Sequence, residues 1–154
     1  MNMKIIEYEP QFKEDFVRLN TEWITQYFQL ENPDYRLFEN PEKIITDGGN
    51  IFFVLHDDKV TGTAALLAED GGKVYEIAKM AVTPEYRGKG IGETLLKHLL
   101  DYAKQHKAVR LYLISNTTLK PAIKLYEKLG FKQILGKEND YTRGDYMAEL
   151  FLTV

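Results

Sequence analysis

From Val82 to Leu95 the chain reads VTPEYRGKGIGETL, with glycines at alternate positions, Gly88, Gly90 and Gly92. Glycine costs stability in regular structure unless its conformational freedom is used. This run therefore marks a place where something approaches the backbone closely. A helix N-terminus presents unpaired N–H groups and about half a positive charge. Glycines ahead of it let several N–H groups converge on one concavity, which suits phosphate oxygens. Arg87 and Lys89 add full positive charge at the same place. The predicted chemistry is phosphate or pyrophosphate binding. Spacing excludes two rival loops: none of these glycines has the Walker A interval to a Gly-Lys-Ser/Thr end, and Glu93 stands where a dinucleotide fingerprint needs its last glycine.

Upstream, Glu76 lies in VYEIAKMAV, a strand-like run otherwise poor in charge. A carboxylate in a half-buried strand acquires a raised pKa, useful for accepting a proton directly or through water. Strand alternation places Glu76 and Lys79 on opposite faces, which argues against their pairing.

The elements that must hold these groups can be read from periodicity and turn signals. Residues 3–8 read as a short strand. From Gln11 onward, Phe12, Phe16, Leu19, Trp23, Tyr27 and Leu30 recur at helical spacing, and Asn32-Pro33-Asp34 breaks that helix. PEKIITDGG predicts a second short helix, opened by Pro41 and stopped at Gly48-Gly49. NIFFVLH, KVTGTAALLA and KVYEIAKMAV, separated by Asp57-Asp58 and Asp70-Gly71-Gly72, predict an antiparallel meander. After Gly92 the stripe of Leu95, Leu96, Leu99, Leu100 and Ala103 makes a helix. AVRLYLIS reads as a central strand buried on both faces. Pro121 sits in the first turn of the next helix and Gly130 ends it. FKQILG and DYMAELFL predict a terminal hairpin with a long connection. The expectation is a single α+β domain over 1–154, with about seven strands and four helices.

Composition narrows the function classes. A net charge of −3 gives no electrostatic case for nucleic-acid binding. The absence of cysteine excludes disulfides, thiolate metal sites and a cysteine nucleophile. His56, His98 and His106 lie too far apart for zinc spacing, so no metal is expected. No apolar run approaches membrane-spanning length and the N-terminus lacks a secretory pattern, so the expectation is a cytoplasmic protein that does not engage membranes.

VTPEYRGKGIGETLL resembles the acetyl-CoA-binding segment of the GNAT superfamily of N-acetyltransferases. Arg87, Gly90 and Gly92 fill its Arg/Gln-x-x-Gly-x-Gly/Ala signature. SNTTLKPAIKLYEKLGF resembles the family's fifth strand and following helix, and the order of elements fits along the whole chain. The resemblance implies a mostly antiparallel mixed sheet splayed between strands four and five, with acetyl-CoA as acyl donor. Backbone N–H groups of Gly88, Lys89, Gly90, Ile91, Gly92 and Glu93 would bind the pyrophosphate. Main-chain groups of Met80, Ala81 and Val82 would pair with the pantetheine arm. Asn116 would bond a pantetheine amide, although Leu119 stands where many relatives carry that asparagine. Tyr126, the tyrosine of KLYEKLGF, would protonate the departing thiolate, and Glu76 would accept the amine's proton; such direct transfer needs no enzyme nucleophile.

By the same resemblance the first helices form the acceptor side. There Glu22, Glu31, Asp34 and Glu39 stand among Trp23, Tyr27, Phe28 and Tyr35, which would suit a cationic amine. Trp23 and Tyr27 fit the core stripe of their helix better than a pocket. Alternatively, Arg143 in GKENDYTRGDY would touch an acceptor carboxylate. The expected activity is acetyl transfer to a primary amine of a small-molecule or amino-acid-like acceptor. Two other readings use the same residues: acetylation of a protein N-terminus or lysine, and a non-catalytic acyl-CoA-binding or sensing module. A second copy of the chain could pair with the terminal hairpin to make a homodimer.

Overall fold

In the strand β2 (Asn50–His56), Phe52 and Val54 enter one apolar cluster while Ile51 and Phe53 enter another. A strand buried on both faces belongs inside a sheet with helices on either side. That is the architecture found in the structure, a computed structural model that describes residues 3–152. The other strands are β1 (Met3–Glu7), β3 (Lys59–Glu69), β4 (Val74–Val82), β5 (Arg110–Ser115), β6 (Lys132–Ile134) and β7 (Tyr146–Phe151). Their order across the sheet is β1-β2-β3-β4-β5-β7-β6. β1 to β4 form the antiparallel meander read from the sequence. β4 and β5 run parallel, and the terminal hairpin places β7 between β5 and β6.

On one face lie α1 (Lys13–Tyr27), α2 (Asn32–Glu39) and α3 (Glu42–Thr46), where Phe16, Ile24, Phe38 and Ile44 meet Ile51 and Phe53. On the other lie α4 (Ile91–Gln105) and α5 (Lys120–Lys128); Leu95, Leu96, Leu99 and Tyr126 meet Phe52, Leu66 and Leu111 there. The helix α4 approaches β3 so closely that a Cβ at Gly62 would come within 3.0 Å of Ile91 Cγ2.

Two expectations are corrected. The described residues form five α-helices where about four were expected, because Asn32-Pro33-Asp34 opens α2 as well as ending α1. Pro33 lies in the first turn of α2, where its missing N–H costs nothing. The carboxylate of Glu31 and that of Asp34 cap each other's backbone in a capping box. The strand β5 is buried on one face only: Leu111 and Leu113 are buried, while Tyr112 and Ile114 are half-buried.

Two irregularities mark the second half of β4. Its pairing with β5 covers only Val74–Ile77 against Arg110–Leu113, and beyond that the strands part. Its register against β3 also slips by one residue between Ala78 and Ala81. Lys79 sits in this bulge with φ at 54°, a left-handed backbone that non-glycine residues adopt at a cost.

Candidate active site

A cavity of about 630 Å³ opens where β4 and β5 part. At one end is the glycine loop. Gly88 and Gly90 hold φ of 77° and 83°, and a Cβ on either would meet nothing within 4 Å. The concavity is therefore open to a ligand. Gly90 is the N-cap of α4, which no side chain caps. The first intrahelical bond runs from Thr94 N–H to the Gly90 carbonyl at 3.0 Å. Ahead of it stand the N–H groups of Ile91, Gly92 and Glu93, an arrangement that fits a phosphate group. Lys97 and Lys128, both at 2.9 Å, neutralise the Glu93 carboxylate, the one negative charge in that first turn.

The two cations of the loop differ in disposition. Lys89 extends over the Tyr86 ring, 5.2 Å from its centroid. Arg87 folds back from the loop: Nε donates to the Val82 carbonyl at 2.9 Å and Nη1 to Gln26 Oε1 at 2.6 Å. Its guanidinium lies 4.7 Å from the Trp23 ring centroid. Arg87 thus ties the loop to the end of β4 and to α1. Next to it, Met80, Ala81 and Val82 follow the bulge; Ala81 and Val82 pair with Thr63 and Gly62 of β3. Their opposite edge, toward β5, has no strand paired to it.

The two residues with proton chemistry line the same cavity. Burial pushes the Glu76 carboxyl up to about 7, and the nearby Glu69 carboxylate adds to the shift. Lys79 and a long hydrogen bond from the Tyr112 hydroxyl, 3.4 Å, act in the opposite direction. Glu76 is therefore a carboxyl able to exchange a proton near neutrality. Tyr126 on α5 is 8% exposed, and its ring stands edge-on to Phe131. Burial raises its phenol above the ordinary value, against the effect of the Ser115 hydroxyl, so it stays protonated at neutral pH. Asn116 lies in the turn before α5. Its amide nitrogen donates to the Arg143 carbonyl at 2.8 Å, and its oxygen accepts from Thr118 N–H at 2.9 Å.

At the far end the structure departs from the expected acidic acceptor face. Asp34 is completely buried. It accepts from the Arg143 fork at 2.8 and 2.7 Å and from the Lys79 ammonium. Burial alone would raise the Asp34 carboxyl, but these hydrogen bonds outweigh it and hold the group below the usual carboxylate range. Arg143 also pairs with Glu31 at 3.2 Å, so its guanidinium is committed within the protein. Glu22 and Glu39 are exposed and lie outside the cavity lining, whereas Trp23 and Tyr27, assigned to the core stripe, are among its walls. The bulge brings Lys79 and Glu76 to one cavity despite strand alternation, although Lys79 pairs with Asp34. Nothing in the residue pattern marked the bulge. Tyr141, which accepts from Lys79 at 2.8 Å, carried no periodic signal either.

A family model described as Acetyltransferase (GNAT) family matches residues 16–131. The chain belongs to the GNAT acetyltransferase family. An uncharacterized N-acetyltransferase of Schizosaccharomyces pombe is 30% identical over 128 residues, 80% of this chain and 78% of that protein. N-acetylaspartate synthetase of Xenopus tropicalis is 34% identical over 87 residues, 56% of this chain and 32% of its own length. The chain thus spans about a third of the N-acetylaspartate synthetases it matches. Among solved structures, a GNAT-family acetyltransferase of Staphylococcus aureus Mu50 superposes with a TM-score of 0.87 at 22% identity, covering 99% of this chain and 100% of that one. N-acetylglutamate synthase of Neisseria gonorrhoeae, complexed with coenzyme A and N-acetyl-glutamate, has a TM-score of 0.77 at 22% identity, covering 100% of this chain and 36% of that one. At these identities the likeness is one of fold: the chain's seven-stranded mixed sheet, with its parallel β4–β5 pair, superposes on both structures.

Proposed function

We propose that the protein is an acetyl-CoA-dependent N-acetyltransferase that moves an acetyl group directly to a primary amine of a small-molecule or amino-acid-like acceptor. The observation that carries this reading is the meeting, in one cavity, of the glycine loop, the open edge of β4, Glu76 and Tyr126. Acetyl-CoA would supply the acetyl group as an activated thioester. The N–H groups from Gly88 to Glu93 would hold its pyrophosphate, and the main chain of Met80, Ala81 and Val82 would pair with its pantetheine arm. Coenzyme A in a structural neighbour supports this assignment. Glu76 takes the proton that the acceptor ammonium must lose, and Tyr126 gives one to the thiolate as the C–S bond breaks and the N–C bond forms. Asn116 serves this site by holding the Arg143 segment beside the end of β5. The amino-acid class is favoured by two relatives, named for N-acetylaspartate and N-acetylglutamate.

The deciding experiment uses the absence of cysteine. A thiol reagent then sees only coenzyme A released from acetyl-CoA. Wild-type protein is offered L-aspartate, L-glutamate, other amino acids, polyamines, aminoglycosides, arylamines and short basic peptides in turn. Release that depends on a small amine or amino acid supports the proposal. Release with peptides alone assigns the protein-acetylating activity instead. Binding of acetyl-CoA without release in any arm points to a sensing module.

A further inference from the structure

Three segments remote in sequence converge on Asp34 at the acceptor end of the cavity: the start of α2, the β4 bulge and the connection from β6 to β7. Asp34 there receives the Lys79 ammonium and both terminal nitrogens of Arg143. The Lys79 side chain is 4% exposed and also donates to the Tyr141 hydroxyl at 2.8 Å. Its ammonium lies 4.6 Å from the Tyr141 ring centroid. Asp34, itself tied to the Glu31 backbone N–H at 2.8 Å, cannot follow a moving lysine. Lys79 is thus fixed at both ends, by a strained backbone and by a buried carboxylate.

Fixing this residue has consequences for the reaction. Ala78 and Met80 flank Lys79, so its position governs where the free edge of β4 begins. The strain of a left-handed lysine persists only when its surroundings enforce it. Glu76 lies on the same strand, in the same cavity. The charged and titratable groups around it are Glu69 from β3, Lys79 from β4, Tyr112 from β5, and Asp140 with Tyr141 from the β6–β7 connection. Among these, Lys79 is the cation.

We propose that Lys79 is a positioning residue for acetyl transfer: Asp34 and Tyr141 hold its ammonium so that the bulge sets the open edge of β4 and a positive charge stands beside Glu76. The inference rests on the transferase reading for its kinetic part and on the fold alone for its titration part. Burial lowers Lys79 from the ordinary lysine value while Asp34 opposes the fall, and the lysine charge in turn opposes the upward displacement of Glu76.

The test compares wild type with Lys79→Met, Lys79→Gly and Asp34→Asn. Turnover is measured with acetyl-CoA and the panel amine that the wild type acetylates fastest. The Glu76 carboxyl is titrated separately by carbon NMR of the protein without substrates. In Lys79→Met, kcat should fall by tenfold to about a hundredfold, and acetyl-CoA binding should weaken as the edge of β4 loses its setting. The midpoint of Glu76 should move upward, and the acid limb of kcat with it. Lys79→Gly relieves the backbone strain without restoring the charge, so it should show the same upward midpoint. Asp34→Asn should impair turnover in the same direction, and Lys79→Met added to it should cost little more. Wild-type turnover and an unmoved Glu76 midpoint in Lys79→Met would overturn the proposal, as would recovery of both by Lys79→Gly. Failure of the wild type to acetylate any amine defeats the transferase reading instead; the NMR titration still judges the charge at Lys79.

Discussion

At the residue scale, the proposed proton traffic rests on two buried side chains: a Glu76 carboxyl that exchanges its proton near pH 7 and a Tyr126 phenol that keeps its proton there. Activity should rise with pH through about 7 as Glu76 loses its proton. Glu69→Gln removes the neighbouring carboxylate that raises Glu76, so it should shift this limb to lower pH, as a pH–rate profile would show. Glu76→Gln should lower kcat by about a hundredfold or more with acetyl-CoA affinity retained. The same substitution makes a stability prediction of opposite sign. A carboxyl raised from 4.5 to about 7 in the folded protein binds more protons folded than unfolded in that window, so its contribution to stability falls as pH rises through it. Glu76→Gln should therefore melt above wild type at pH 8, with the advantage shrinking toward pH 4. Tyr126→Phe removes the proposed donor and leaves the ring packing against Phe131, so kcat should fall while the melting temperature stays close to wild type. Glu76 and Tyr126, which both line the cavity, were legible as candidates, the first as a carboxylate in an apolar strand and the second through the resemblance of KLYEKLGF. Lys79 was not, because alternation assumes a regular strand and the bulge breaks that assumption.

At the scale of elements, the site belongs to the ends of β4, β5 and α4. The strand-turn-helix junction was readable because each signal was local: an apolar run, a proline, glycines, then a helical stripe. Local signals also recovered the meander and the terminal hairpin. They failed at α2, where one proline serves both to end a helix and to begin another, and the capping pair Glu31–Asp34 decides between these roles. They failed again for AVRLYLIS: an apolar string does not reveal that Arg110, Tyr112 and Ile114 share a face that is only half-buried. The glycine loop yields a direct test. Gly90→Ala forces a methyl into left-handed backbone, with φ at 83°, and crowds the concavity ahead of α4. It should weaken acetyl-CoA binding by tenfold or more in calorimetry and cost about 1 kcal/mol of stability. Gly92→Ala, in helical backbone, should leave stability unchanged or slightly raised while still impairing acetyl-CoA binding.

At the scale of the molecule, long-range ion pairs tie the terminal hairpin to the first helices. Glu31 accepts from Thr142 N–H at 2.7 Å, and Arg143 binds both Glu31 and Asp34, each more than a hundred residues away along the chain. These pairings were beyond sequence reasoning, because acidic residues at the start of α2 look the same whether solvated or buried. Arg143→Ala strips Asp34 of its bidentate partner and should destabilise the protein by about 3 kcal/mol in denaturant unfolding. The triple substitution Asp34→Leu, Arg143→Leu and Lys79→Met should recover part of that loss, because neither Asp34 nor either of its cationic partners is then left as an unmatched buried charge.

The short β4–β5 ladder has a thermodynamic consequence of its own. Four residue pairs join the two strands, and past Ile77 the backbone of β4 keeps hydrogen-bonding capacity that the fold does not use. A coenzyme that takes up this capacity becomes part of the cohesion of the native state. Saturation at a hundredfold excess over the dissociation constant adds about 2.7 kcal/mol to that state. If acetyl-CoA binds as proposed, the melting temperature should climb with its concentration and proteolysis of the native protein should slow in its presence.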